Sequence, residues 1–167
     1  MSCIRFCKRF VSAAALLALL ALPVPASMVS FLLVETGTGE EVSGSQHSRI
    51  WESGLMAAFF DSGYIVTNGP IIWMEQKPET ALSGEIGASF NKAVTGGADY
   101  FVVGFFEYSV QEGRAVPSAV VVYVYDSSSR QLIYQRSFSA GEGRNAAEET
   151  QIAQNAGRAV ISRIKDR

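Results

Sequence analysis

Residues 97–110 read GADYFVVGFFEYSV, and the reading of this stretch decides the fold. Gly96 and Gly97 stop whatever precedes it. Asp99 to Val110 is then dominated by β-branched and aromatic side chains, the strongest strand signal in the chain. Gly104 inside it marks a bulge or a close approach by a neighbour. Downstream, the polar loop Gln111-Glu112-Gly113-Arg114 leads to a second strand, Ala115 to Tyr125. Asp126-Ser127-Ser128-Ser129-Arg130 is a turn. Gln131 to Phe138 alternates as a half-buried strand does. Four tyrosines, Tyr108, Tyr123, Tyr125 and Tyr134, are consistent with strand alternation in this meander, where they line one face. The Gly-rich loop Ala140 to Arg144 follows. A helix over about Asn145 to Ile164 closes the chain, with Ile152, Ala156, Val160 and Ile164 four residues apart.

Upstream of Gly96 the pattern changes to strands alternating with helices. Met28 to Glu35 (MVSFLLVE) is a short continuous apolar run, the mark of a buried strand. Thr36 to Ser45 is a loop. Trp51, Leu55, Ala58, Phe59 and Ser62 make one face of a helix over about Gln46 to Ser62, with Gly63 as its C-cap. Tyr64 to Thr67 is a short strand stopped by Asn68-Gly69-Pro70. Ile71-Ile72-Trp73-Met74 is an apolar stretch between turn signals. A second helix spans about Pro78 to Thr95, with Leu82, Ile86, Phe90, Ala93 and Val94 as its stripe. The order β-α-β-α-β-β-β-α predicts an α/β (mixed α+β) domain. Crossovers make the first half of its sheet parallel, a meander makes the second half antiparallel, and helices pack on it.

The first 26 residues stand apart. Arg5, Lys8 and Arg9 form a basic start, Val11 to Leu22 is apolar apart from Ser12, and Val24-Pro25-Ala26 ends in a small residue. This is the three-part pattern of a secretory signal peptide, with cleavage expected after Ala26 and a periplasmic or secreted destination. The apolar run is too short for the roughly 20 residues that span a bilayer. Retention as an anchor remains the alternative, because Met28 to Val34 is apolar too. A bacterial lipoprotein signal needs a cysteine directly after the apolar run. Prolines, Ala26 and Ser27 stand there, so no lipid anchor is expected.

Removal of residues 1–26 turns a 167-residue chain of net charge −2 into a 141-residue domain, 27–167, of net charge −5. Both cysteines, Cys3 and Cys7, leave with the segment, so the domain is expected to hold together without disulfides. An acidic balance gives no general attraction to nucleic acid or anionic membrane. At 48% hydrophobic and 18% charged, the composition also excludes disorder.

The layout resembles one envelope family. The residues that carry the likeness are the opening apolar strand and the phrase L…F…SGY-x-V from Leu55 to Val66. Gly97-Ala98-Asp99-Tyr100-Phe101-Val102-Val103-Gly104, the turn followed by Gln131-Leu132-Ile133-Tyr134, and the closing helix complete it. The domain it resembles is shared by the curli-export channel protein, the outer-membrane lipoprotein activators of penicillin-binding proteins, and the N-terminal domain of the Tol-Pal translocation protein B. The resemblance covers nearly all of residues 28–165. It implies an exported envelope protein acting by protein contact or assembly. It brings no shared catalytic residues.

The residues themselves supply few sites. His47, the single histidine, stands near a helix start and could serve a serine, but no Gly-x-Ser-x-Gly elbow exists. Gly141-Glu142-Gly143 before a helix could cradle an anion, but Glu142, Glu148 and Glu149 crowd that end and suit the helix dipole instead. Glu40-Glu41 and Glu148-Glu149 read as solvated pairs. No catalytic, cofactor or metal site is expected, and the chain is read as a non-enzyme. Ile72, Trp73 and Met74 are the candidate partner contact, with an exposed sheet edge second, for an envelope protein or a second copy. A periplasmic small-ligand binding module, using a cleft between sheet and helices, is the alternative.

Overall fold

A computed structural model describes residues 26–37, 46–78, 80–111, 114–143 and 145–165. The proposed signal segment, the acidic pair Glu40-Glu41 and most of the loop after the first strand lie outside the described residues. Six strands form one mixed sheet: β1 (Met28–Thr36), β2 (Ile65–Asn68), β3 (Ile72–Met74), β4 (Tyr100–Gln111), β5 (Arg114–Asp126) and β6 (Leu132–Ser139). The helices are α1 (Gln46–Asp61), α2 (Gly84–Thr95) and α3 (Ala146–Lys165). The sheet order is β2-β1-β4-β5-β6, with β3 also on β1. β1 pairs in parallel with β2, β3 and β4, and β4-β5-β6 is an antiparallel meander. This is the mixed α/β architecture that the sequence order implies.

β2 and β3 share one edge of β1. β2 lies beside Met28 to Phe31 and β3 beside Val34 to Thr36. Between them Gly69 donates its N–H to the Phe31 carbonyl, and Pro70, with no N–H, interrupts the ladder. The apolar stretch at 71–74 is therefore the resumption of an edge strand.

Two cores sit on the two faces. Val29, Phe31, Val102, Phe106, Val120 and Val122 pack under α1 and α3, against Trp51, Leu55, Phe59 and Val160. Leu32, Val34, Phe101, Val103 and Phe105 pack under α2, against Ile86 and Phe90. β1 and β4 are covered on both faces, which explains their unbroken apolar character. Gly104 is a close approach: a Cβ there would meet the Leu33 side chain. The tyrosines divide between the two faces rather than sharing one, Tyr108 and Tyr134 with the first core, Tyr123 and Tyr125 with the second. α2 starts at Gly84, not near Pro78. The Ser83 N–H and hydroxyl both donate to the Thr80 carbonyl, closing a separate turn before the helix begins. Among the described residues no helix is long and apolar enough to cross a membrane.

Candidate functional site

The carboxyl ends of parallel strands are where side chains from several elements converge. Here the ends of β1, β3 and β4 meet the start of α1. Glu35 continues the face of β1 that carries Val29 and Phe31, so it points under α1 and is fully buried. The Ser48 hydroxyl, also fully buried, donates to Glu35 Oε1 at 2.5 Å and shares a second hydrogen bond with the Tyr108 hydroxyl at 2.9 Å. Buried polar groups that find each other in this way tie α1 to the sheet at a fixed register.

A second buried carboxylate comes from α3 and meets Trp51, one turn beyond Ser48 on α1. Glu149 is 1% exposed. Its Oε1 accepts the Trp51 indole N–H at 2.6 Å and the Gly141 N–H at 2.9 Å, and its Oε2 accepts the Gly143 N–H at 2.9 Å. Burial opposes its ionisation. The Gly141 N–H, the Trp51 indole, the Gly143 N–H and nearby His47 outweigh that, and hold the carboxyl below the usual glutamate range. The Gly-x-Gly loop does cradle an anion, but the anion is the chain's own. Glu148 and Glu149 are thus not a solvated pair. Asn145 caps α3, its Oδ1 accepting the Glu148 N–H at 3.0 Å.

Among the described residues His47 makes no pair with a serine. Its Nδ1 is buried without a hydrogen-bond partner among the described residues. Chemically, this region can fix helices and loops. Ser48, the nearest hydroxyl in sequence to His47, is closed to solvent.

Of the candidate contact residues, Ile72 and Met74 pack on the α2 core. Trp73 pairs in register with Glu35 and faces the other way, toward α1. Its indole N–H is buried with no partner among the described residues. The segment after β3 is held by Lys77, whose ammonium lies 5.1 Å from the ring centres of both Phe105 and Tyr123 and 3.6 Å from Glu107.

Sequence reasoning missed three exposed side chains. Phe60 is 66% exposed, Ile65 47% and Leu132 45%; Ile65 and Leu132 open β2 and β6, the outermost of the described strands, and Phe60 lies beside Val66 of β2. Phe60 falls off the α1 stripe marked by Leu55, Ala58 and Phe59, which is the signal that could have found it. Beside it a shallow hollow is lined by Glu52, Met56, Phe60, Asp61 and Val66.

No family model matches the chain, and no curated protein matches it. Solved structures do. TolB from Acinetobacter baumannii is similar over 85% of this chain and 29% of its own, at 13% identity and a TM-score of 0.49. A PelC dodecamer from Paraburkholderia phytofirmans is similar over 80% and 86%, at 16% identity and a TM-score of 0.44. The lipoprotein GNA1162 from Neisseria meningitidis is similar over 86% of this chain and all of its own, at 14% identity and a TM-score of 0.42.

Proposed function

We propose that this chain is an exported cell-envelope protein that works by contact with another envelope protein or with its own copies, and not by catalysis. The observation that carries the reading is a division of labour among its side chains. The polar groups able to do chemistry, Glu35, Ser48 and Glu149, are buried and engaged in holding α1, α3 and the loop at 141–143. The large apolar groups Phe60, Ile65 and Leu132 keep about half or more of their surface exposed. Export rests on the basic, apolar and small-residue pattern of residues 1–26, with the mature domain taken as 27–167.

Trp73 is the contact residue of the Ile72-Trp73-Met74 strand. Its two neighbours are committed to the α2 core, whereas its own N–H has no partner among the described residues and the strand lies at a sheet edge. Crosslinking in the native host followed by affinity recovery tests this. A discrete crosslinked species is expected from the unaltered protein, and its loss from Trp73→Ala but not from Arg163→Ala. Recovery of no crosslinked species, or equal recovery from both variants, would count against Trp73.

A further inference from the structure

Both ends of the sheet are open. Among the described strands β2 pairs with β1 alone and β6 with β5 alone, so each presents an outer row of unpaired N–H and C=O groups. The three exposed large apolar side chains border these two edges: Phe60 and Ile65 at one, Leu132 at the other.

We propose that copies of this chain associate head to tail, the β2 edge of one against the β6 edge of the next, as a parallel strand pair. The inference rests on the contact function above and names its partner as a second copy. Strand direction allows it. β2 runs with β1 and β4, and β6 is antiparallel to β5, which is antiparallel to β4, so β6 runs with β2. Parallel pairing therefore continues the sheet with the helices of every copy on the same sides.

The two faces match as well. Ile65 opens β2 and Leu132 opens β6. Ile65 sits opposite Met28 and Leu132 opposite Tyr125, and both of those partners belong to the α2 face. In a parallel pair begun at the same level, Ile65 of one copy lies beside Leu132 of the next, on one face. On the α1–α3 face, Glu52 and Asp61 flank β2. Arg136, opposite Val122, projects to that same face from β6, with Arg158 on α3 nearby through Asn155. On this face Arg49 on α1 and Glu142 beside Arg136 oppose the bias without reversing it, leaving this face of the first edge net acidic and of the second net basic, while Lys92 stands beside β2 on the α2 face. A two-fold contact would set each edge against its own sign, and a head-to-tail contact sets acid against base. Such an interface is not self-complementary and can repeat from copy to copy.

Sedimentation velocity on the purified protein, over a concentration series reaching about 1 mM, reads the association. The unaltered protein is expected to gain mass with concentration. Ile65→Asp and Leu132→Asp are each expected to be monomeric. Mixed one to one, they are expected to form a dimer and nothing larger, because each retains the edge the other has lost. Both positions are exposed, and an unchanged thermal melt verifies the fold. Should either variant misfold, half-buried Glu52→Arg and exposed Arg136→Glu replace the pair, each weakening association alone and restoring it in mixture. A monomeric unaltered protein, one variant that assembles as before, or a mixture that stays monomeric overturns the proposal. A monomer that still gives the Trp73-dependent crosslink overturns the head-to-tail contact and leaves the envelope contact standing.

Discussion

Glu148 and Glu149 are neighbours in sequence and opposites in structure. Glu148 follows the Asn145 cap, whereas Glu149 is sealed beneath it with three N–H donors. The adjacent pair offers no local distinction, but the helical stripe does. Ala153, Ala156, Val160 and Ile164 are among the seven buried positions of α3, and four residues before Ala153 lies Glu149. The register through Ile152 missed it by one residue. Leaving a buried donor unpaired costs about 1–3 kcal/mol. Glu149→Ala, which strands the Trp51 indole and two loop N–H groups, is therefore expected to lose on the order of 4 kcal/mol in urea unfolding. The lowered carboxyl of Glu149 also fixes a sign. Its contribution is complete above about pH 4.3, the unfolded value, and is lost as pH falls toward the folded one. Unfolding free energy measured from pH 7 to pH 3 should fall less steeply in Glu149→Gln than in the unaltered chain. Some slope remains, because Asp126, lowered to about 2 chiefly by the Ser129 N–H and the Ser128 and Ser129 hydroxyls, titrates in the same direction. Identical slopes would refute the role given to Glu149.

Between elements, the crossing of α1 and α3 depends on two glycines that periodicity does not explain. A Cβ at Gly54 would stand 2.5 Å from the Ala153 Cβ and 3.0 Å from the Thr150 carbonyl oxygen. A Cβ at Gly157 would stand 2.7 Å from the Ala58 Cβ. Alanine at an open helical position gains about 1 kcal/mol over glycine. Here overpacking, at about 1–3 kcal/mol, exceeds that gain, because the atoms met include backbone on the facing helix. Gly54→Ala and Gly157→Ala are each expected to lower the denaturation midpoint, and a raised midpoint would show that the helices can separate freely. The α1 and α3 helices and five of the six described strands were legible, β2 from the breakers that follow it and the rest because their apolar pattern continues for several turns or steps. The start of α2 was not, since Leu82 extends the apolar stripe into a turn that Ser83 and Thr80 close on their own. β3 was visible only as apolar residues between breakers. Its pairing with the far half of β1 is a long-range consequence of where β2 stops.

At the scale of the whole molecule, the mixed sheet followed from the order of its elements, while the unequal cover of its two faces did not. Six buried positions of α1 and seven of α3 lock over one face around Trp51. α2 alone spans the other, with three, Ile86, Phe90 and Ala93. Phe90 is the anchor, its ring centre 5.4 Å from that of Phe101 and 6.3 Å from that of Tyr125. A large apolar side chain contributes about 1.5–3 kcal/mol on full burial, so lifting α2 alone forfeits on the order of 5 kcal/mol. Lifting α1 or α3 instead breaks the Trp51–Glu149 bond and opens the larger core. Local openings follow the cheapest such route. Native-state hydrogen exchange across low denaturant should therefore find α2 amides exchanging at a lower free energy and with a weaker denaturant dependence than those of β4 or α3. Phe90→Ala should widen that gap, because it removes the anchor of α2 while leaving the α1–α3 core intact. Equal free energies and equal slopes for α2 and β4 would mean that both faces open only together, and that the sheet transmits the loss of either cover to the whole.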